Sequence, residues 1–160
     1  MPLVFVFHGS NGSGPGIERW AGFDDLAEQA GFIVCYPDGL DGLWNAADGA
    51  TTDHADDVGF IRALIATLSQ SYRIDPARVF ATGMSLGGAF CQRLGLELAD
   101  KIAAIAPVTG PMATSLATQT PVRVPLPVIT FHGTADATVP FDGGEVRQAF
   151  ASVLGANDMA

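Results

Sequence analysis

The sequence predicts an α/β fold: a doubly wound, mostly parallel five-stranded sheet. Five short runs are almost wholly apolar, as expected of strands that are covered on both faces. Apolar residues at helical spacing separate these runs, and such alternation is typical of parallel strands joined by right-handed crossovers. Within 160 residues there is no linker, repeat or low-complexity segment. We therefore expect one domain over residues 1–160.

Each element follows from its own pattern. The five apolar runs predict strands at residues 3–7, 32–36, 78–82, 102–106 and 127–131. Apolar residues at helical spacing predict helices that carry Trp20, Phe23, Leu26 and Ala30, then Val58, Ile61, Leu64, Ile65 and Leu68, and later Val146, Phe150, Val153 and Leu154. A further helix is expected at residues 89–99. Two irregular stretches, 37–53 and 109–125, each follow a strand, so we expect both at the carboxyl edge of the sheet, where ligands bind in open α/β folds.

The charge balance excludes some classes of partner. Eight basic and seventeen acidic residues give a net charge of −9, which argues against nucleic acid and against an anionic membrane surface. No apolar run reaches the roughly 18 to 20 residues of a membrane span. The first eight residues lack a positive n-region and a cleavage site, so we interpret them as a strand and not as a signal peptide. The compartment stays open, since a leader that had been removed would leave no trace.

We expect neither a metal nor another cofactor. Cys35 and Cys91 lie outside any metal-ligand spacing, and we interpret both as buried free thiols, with a disulfide as the open alternative. The long loop is rich in aspartate, but the spacing matches no EF-hand, so solvated carboxylates and helix-start charges explain it better. These aspartates are Asp38, Asp41, Asp48, Asp53, Asp56 and Asp57.

The most informative motif is Gly83-Met84-Ser85-Leu86-Gly87. It lies between a strand-like run and a helix-like run, which is the context of the nucleophile elbow in α/β-hydrolases. A serine on such a tight turn exposes its hydroxyl above the sheet, and the two glycines let neighbouring backbone pass close by. The N–H of Leu86, at a helix N-terminus, is aimed where an oxyanion would develop.

Four further landmarks accompany the elbow in order. They are His8-Gly9-Ser10-Asn11-Gly12, Trp44-Asn45, Asp56-Asp57-Val58-Gly59-Phe60-Ile61, and His132-Gly133-Thr134-Ala135-Asp136 with Val139-Pro140. Over nearly the whole chain this combination resembles α/β-hydrolase esterases of the polyhydroxybutyrate depolymerase and feruloyl esterase type. The resemblance implies a serine esterase that hydrolyses small or aromatic carboxylic esters through an acyl-enzyme.

The resemblance also implies residue roles. Ser85 is the nucleophile, Asp136 is the acid of the triad, and the N–H groups of Ser10 and Leu86 form the oxyanion hole. Gly-rich turns after two adjacent strands are physically able to place two donors around one point. Asp136 has an open alternative as a structural Asx-turn residue.

The chain departs from the family in its last part. The family's histidine follows the acid, but no histidine follows Asp136 here. The family's first two strands, last strand and last helix also have no counterpart. What remains is a minimal α/β-hydrolase core with the flavodoxin-like strand order 2-1-3-4-5, either a fragment or a minimal enzyme. Its exposed sheet edges leave pairing into a homo-oligomer as an open alternative.

Three histidines are candidates for the missing general base. We interpret His8 and His132 as structural residues that fix their turns. His54 is the candidate substitute base, because it ends the loop after the second strand and has aspartate neighbours. Its alternative is a solvated residue near a helix start. Lys101 precedes a strand at the opposite end of the sheet, so a Ser-Lys dyad is not expected.

The two tryptophans and the missing histidine each have two interpretations. Trp20 and Trp44 are candidates for lining an acyl or aryl pocket, and packing is an equal alternative for both. Without its histidine the chain is also compatible with a catalytically impaired, α/β-hydrolase-like binding module.

Overall fold

A four-stranded parallel sheet forms the centre of the protein. The computed structural model describes residues 1–47, 55–146 and 151–153. The strands are β1 (Leu3–Phe7), β2 (Ile33–Cys35), β3 (Val79–Met84) and β4 (Ala104–Val108), in the order β2-β1-β3-β4. This confirms the predicted parallel sheet and the first four places of its order, with strand ends displaced by a residue or two.

The fifth predicted strand lies beside β4 as an edge segment, residues 127–131. Parallel bridges join Ile105 to Val128 and Val108 to Phe131. The N–H of Ile129 donates to the Ile105 carbonyl over 3.1 Å, and that of Phe131 donates to the Pro107 carbonyl over 3.0 Å. The edge segment therefore takes the expected fifth place, but it forms two isolated bridges and no continuous strand.

Helices follow the strands as expected, with one interruption. The helices are α1 (Gly14–Ala21), α2 (Phe23–Ala30), α3 (Asp57–Ser71), α4 (Leu86–Glu97) and α5 (Thr114–Gln119), and a short 3-10 turn covers Leu40–Gly42. The apolar pattern from Trp20 to Ala30 does not belong to one helix, because Gly22 adopts φ 66° between α1 and α2. Left-handed glycine is a common helix end.

The predicted helix near the end of the chain is wrong for the described residues. There, β5 (Gly144–Val146) pairs in antiparallel fashion with β6 (Ala151–Val153), while residues 147–150 and 154–160 lie outside the described part. Gly143 and Gly144 have φ values of 80° and 120°, which no right-handed helix accommodates. Four apolar residues at helical spacing were too short a signal to decide against a strand pair.

The core lies between the sheet and the helices α3 and α4. Phe5, Phe7, Trp44, Phe90 and Leu94 are all fully buried in one apolar cluster. The ring of Phe7 meets those of Trp44 and Phe90 edge-on, with centroids 5.1 Å away in both cases. This packing fixes the carboxyl ends of β1 and β3 side by side, which is where the candidate site lies.

Both cysteines are free: Cys91 is buried and Cys35 is half-buried. Burial raises the pKa of Cys35 to about 11. Among the described residues, no group of three or more potential ligand side chains is placed to hold a metal ion. Nor is any helix in this part of the chain long and apolar enough to cross a membrane.

Candidate active site

Ser85 lies between the last residue of β3 and the first residue of α4, so the strand–turn–helix context is as predicted. Its φ of 55° and ψ of −120° lie outside the regions that L-residues ordinarily adopt. Its N–H donates to the Val108 carbonyl, and its carbonyl accepts from the Ala89 N–H, both over 2.9 Å. These bonds hold a strained turn of the kind that clusters at active sites.

The two glycines of the motif are needed for close packing of backbone. A Cβ on Gly87 would lie 2.5 Å from the carbonyl oxygens of both Phe7 and His8, and one on Gly83 would lie 2.7 Å from the Gly87 carbonyl carbon. Real Cβ atoms do not approach other atoms so closely. The absence of these side chains lets α4 start directly against the end of β1.

The end of β1 continues into a loop that we call the His8 turn (residues 8–12). Gly9 lies against the serine, since a Cβ placed on it would be 3.4 Å from the Ser85 Cβ. Within the described chain, the N–H groups of neither Ser10 nor Leu86 have a hydrogen-bond acceptor. Two amide donors without an acceptor in the described chain therefore lie near this turn: Leu86 follows Ser85, and Ser10 follows Gly9, which packs against Ser85.

His8 has both ring nitrogens engaged with backbone. The N–H of Gly39 donates to Nε2 over 3.0 Å, so Nε2 carries no proton. The proton then lies on Nδ1, which is 2.8 Å from the Gly9 carbonyl oxygen and donates to it. The side chain is buried. His8 therefore fixes its turn, and it has no free nitrogen with which to accept a proton from Ser85.

The two tryptophans have different surroundings. The Trp44 ring is fully buried, and its indole N–H donates to the His8 carbonyl over 3.1 Å, so it anchors the core. Trp20 is 69% exposed and borders a pocket of about 290 Å³ beside the serine. The pocket carries no carboxylate, lysine or arginine and is lined by His8, Gly9, Ser10, Gly12, Ser13, Gly16, Ile17, Trp20 and Met84.

Asp136 lies in a loop after the edge segment, which we call the His132 turn (residues 132–139). Its Oδ1 accepts from the N–H groups of Thr138 and Val139, both over 2.9 Å. These two bonds hold the pKa of Asp136 below its ordinary value. Oδ2 makes no hydrogen bond in the described part of the chain. Asp136 thus has the geometry of an Asx turn, with one carboxylate oxygen left over for another partner.

His132 belongs to the same turn. Its Nε2 lies 2.8 Å from the Val139 carbonyl oxygen, to which it donates, and 4.0 Å from Asp136 Oδ2. The other nitrogen, Nδ1, is buried and has no hydrogen-bond partner. His132 therefore closes the turn against Val139, and its ring lies edge-on to Phe141 with centroids 5.8 Å apart.

His54 lies outside the described residues, as do Asp48 and Asp53. The segment just after it is tied to Asn45: the Asn45 side-chain N–H donates to the Ala55 carbonyl over 3.1 Å, and the Asn45 backbone N–H donates to Asp57 over 2.6 Å. Burial raises the pKa of Asp57, and the bond from Asn45 and the charge of Arg93 oppose that shift.

Three features of this region were not predicted. Arg93 Nη1 donates to the Asn45 carbonyl over 3.0 Å, which ties the Trp44-Asn45 motif to α4. Met84 and Ile17 line the pocket beside Ser85. Thr109, at the end of β4, has a φ of 47°. The Trp44-Asn45 motif marked one end of the first contact, but no motif includes Arg93, and nothing in the sequence pattern signals the other two features.

Comparison with known proteins identifies the family to which the sequence is similar. The sequence pattern of the family described as Phospholipase/Carboxylesterase matches residues 47–159. The protein NocK of Nocardia uniformis subsp. tsuyamanensis is 36% identical over 157 residues, which is 96% of this chain and 45% of that protein. Feruloyl esterase B of Piromyces equi is 35% identical over 153 residues, or 89% of this chain and 27% of that enzyme.

A solved structure shares the fold. The acetyl xylan esterase from Aspergillus awamori superposes with a TM-score of 0.55 at 26% identity, covering 67% of this chain and 42% of that one. The chain spans less than half the length of each of these relatives.

Proposed function

The chain belongs to the Phospholipase/Carboxylesterase family, and we propose that it is a serine esterase acting on small or aromatic carboxylic esters. The observation that carries the proposal is Ser85 on a strained turn between two free amide donors, those of Ser10 and Leu86. A hydroxyl next to preorganised N–H groups at one sheet edge suits attack on a carbonyl carbon.

The reaction proceeds in two steps. Ser85 Oγ attacks the ester carbonyl, and a base takes the hydroxyl proton while the Ser10 and Leu86 amides stabilise the oxyanion. The C–O bond to the alcohol then breaks, the alcohol leaves with that proton, and an acyl-enzyme remains. Water attacks the acyl-enzyme by the same route, which releases the carboxylic acid and restores Ser85.

We propose His54 as the base, oriented by a carboxylate. The support comes from the described residues that adjoin it. Asn45 binds Ala55, the residue after His54, and the adjacent Trp44 donates to the His8 carbonyl. Gly9 follows His8 and packs against Ser85. Asp136 keeps the role of triad acid in this proposal, with its free Oδ2 available to an imidazole.

The pocket beside Ser85 supports the substrate class. A cavity of about 150 Å³ lined by apolar side chains is known to bind benzene, and this pocket holds about 290 Å³. Trp20 and Met84 give it apolar walls on which an aryl or short alkyl group can pack. The Piromyces relative is named as a feruloyl esterase and the Aspergillus structure as an acetyl xylan esterase, an aromatic and a small ester.

A second candidate function is a binding module that retains the site without turnover. It is favoured by the two described histidines, since His8 has both nitrogens occupied and His132 faces Val139. In this alternative, esters or carboxylic acids bind in the pocket, and Ser85→Ala leaves their affinity unchanged.

Hydrolysis of p-nitrophenyl acetate and butyrate decides between them. We compare the wild type with Ser85→Ala and His54→Ala, and use Ser71→Ala, at the far end of α3, as the matched control. The esterase proposal expects Ser85→Ala to lose at least ~1,000-fold in kcat/KM, His54→Ala to lose a comparable factor, and the control to be unchanged. Turnover that depends on Ser85 but survives His54→Ala would reject His54 as the base and leave the esterase proposal standing. Turnover indifferent to Ser85 would favour the binding module.

A further inference from the structure

Thr109 has a backbone conformation that threonine rarely adopts. Four residues other than glycine have positive φ in the described chain: Asn11, Asp41, Ser85 and Thr109. Asparagine and aspartate tolerate this region, but for a β-branched residue it is a genuine outlier. Such strain clusters at active sites and ligand clamps, so an observed outlier is a starting point for a functional hypothesis.

Thr109 lies next to Ser85 across the sheet. Met84 and Val108 are register partners in the parallel pair β3–β4, so the residues that follow them leave adjacent strand ends. The N–H of Ser85 donates to the Val108 carbonyl over 2.9 Å, which ties the two turns together. Neighbouring strands are about 4.8 Å apart, within reach of a substrate bound at the serine.

The backbone geometry of this turn does not explain a threonine at this position. The turn brings Gly110 against the start of α4, where a Cβ on Gly110 would lie 2.3 Å from the Gly88 carbonyl carbon. The N–H of Thr109 donates to the Phe131 carbonyl over 2.7 Å. A glycine at 109 would make the same turn and the same backbone bond without strain. The backbone turn therefore does not require a threonine side chain.

The hydroxyl of Thr109 is free to bind a ligand. The residue is half-buried, and its hydroxyl makes no hydrogen bond within the described chain. We propose that Thr109 is a substrate-contacting residue whose hydroxyl donates a hydrogen bond to an oxygen of the ester bound at Ser85. This inference rests on the proposed esterase function.

The test uses two variants that separate the hydroxyl of Thr109 from the branched shape of its side chain. Thr109→Val keeps the shape and the strain but lacks the hydroxyl, whereas Thr109→Ser keeps the hydroxyl. Loss of one hydrogen bond in the transition state is expected to lower kcat/KM for p-nitrophenyl butyrate about five- to tenfold in Thr109→Val, with Thr109→Ser within about twofold of wild type. Equal activity in wild type and Thr109→Val, with unchanged melting temperatures, would overturn the proposal.

Relief of the backbone strain at residue 109 gives a second test, in which activity and melting temperature are compared. Thr109→Gly removes strain and hydroxyl together, so we expect it to match Thr109→Val in activity while its melting temperature is equal to or above that of wild type. Asp41→Gly is the matched control, because it relaxes a similar φ of 52° at a position without a proposed role, and its kcat/KM should stay at the wild-type value. A fall in activity that merely follows a fall in melting temperature across these variants would indicate a structural role and overturn the proposal.

Binding separates failure of this inference from failure of the proposed function. Phenylboronic acid forms a B–O bond with a reactive serine hydroxyl and releases a proton, and boron NMR detects the tetrahedral adduct. We expect the adduct in wild type, none in Ser85→Ala, and about five- to tenfold weaker affinity in Thr109→Val. An adduct equally tight in Thr109→Val rejects only the role of Thr109. No Ser85-dependent adduct and no turnover would reject both proposals.

Discussion

The His8 turn and the His132 turn begin alike but are held differently. Each histidine ends an apolar run and is followed by glycine, and each uses Nε2 to bind backbone of a loop. His8 binds Gly39, 31 residues away, and both of its nitrogens are satisfied. His132 binds Val139, only 7 residues away, and its Nδ1 has no partner.

The strands that precede these turns differ in the same way. β1 pairs with β2 on one side and β3 on the other, and its residues Phe5 and Phe7 are fully buried. The edge segment pairs only with β4 among the described residues, and Ile129 and Phe131 are more than half exposed. The core therefore preorganises the His8 turn, whereas the His132 turn depends mainly on contacts within its own loop.

We expect the greatest loss of stability when one methyl group is added beside the His8 turn, and almost none when one is added in the His132 turn. Gly87→Ala would place a Cβ 2.5 Å from the Phe7 and His8 carbonyl oxygens, so we expect a loss of about 3 kcal/mol or more in unfolding free energy. Gly133→Ala is the matched control, because its Cβ meets nothing within 4 Å, and it should stay within about 0.5 kcal/mol of wild type. Urea denaturation measures both. Equal losses of unfolding free energy in the two variants would show that the two turns are packed equally tightly.

Replacement of each histidine by alanine should give a smaller difference in unfolding free energy between the two turns. His8→Ala leaves the Gly39 N–H without its acceptor and a cavity beside Trp44, so we expect a loss of about 2–4 kcal/mol in unfolding free energy. His132→Ala removes one backbone bond and the ring contact with Phe141, but it also removes a buried nitrogen that has no partner, so we expect a smaller loss of about 1–2 kcal/mol. Thermal unfolding of the two variants side by side checks the order. A larger loss for His132→Ala would show that the second turn is the better anchored one.

Removal of the charge on Asp136 should have the smallest effect on the unfolding free energy. Its folded-state pKa is lowered by the Val139 and Thr138 N–H bonds, so its ionisation stabilises the fold above the unfolded pKa, and this contribution is lost as pH falls through the lower folded pKa. Asp136→Asn keeps an acceptor for the two N–H groups but has no charge. We expect wild type to exceed it in stability by less than about 1 kcal/mol at pH 6, after allowance for solvent screening, and by a smaller amount at about pH 3, below the ordinary carboxyl pKa of about 3.9.

Urea denaturation at both pH values makes the measurement, and Asp142→Asn, a neighbouring exposed aspartate, is its control. A gap between wild type and Asp136→Asn that widens toward low pH would contradict the assigned direction of the pKa shift.

Much of the fold was readable from the sequence, because its signals are local. The apolar run at 3–7 coincides with β1, and the helical spacing from Val58 to Leu68 lies within α3. Gly83 and Gly87 marked a turn where backbone passes close to backbone, and the structure shows where that contact occurs. The C-terminal helix was predicted wrongly because four apolar residues at helical spacing are a weak signal, and two of them, Val146 and Val153, lie in the paired strands β5 and β6.

The amino-acid pattern was sufficient to predict a parallel α/β sheet, an elbow at Ser85 and the turns that surround it. Periodicity and glycine spacing encode these features over a few neighbouring residues. The packing of distant segments was needed to establish that His8 binds Gly39, that Trp44 is buried while Trp20 borders a pocket, and that Thr109 is strained beside the serine. No local signal carries these outcomes, because they depend on partners from distant parts of the chain and on which faces the core covers.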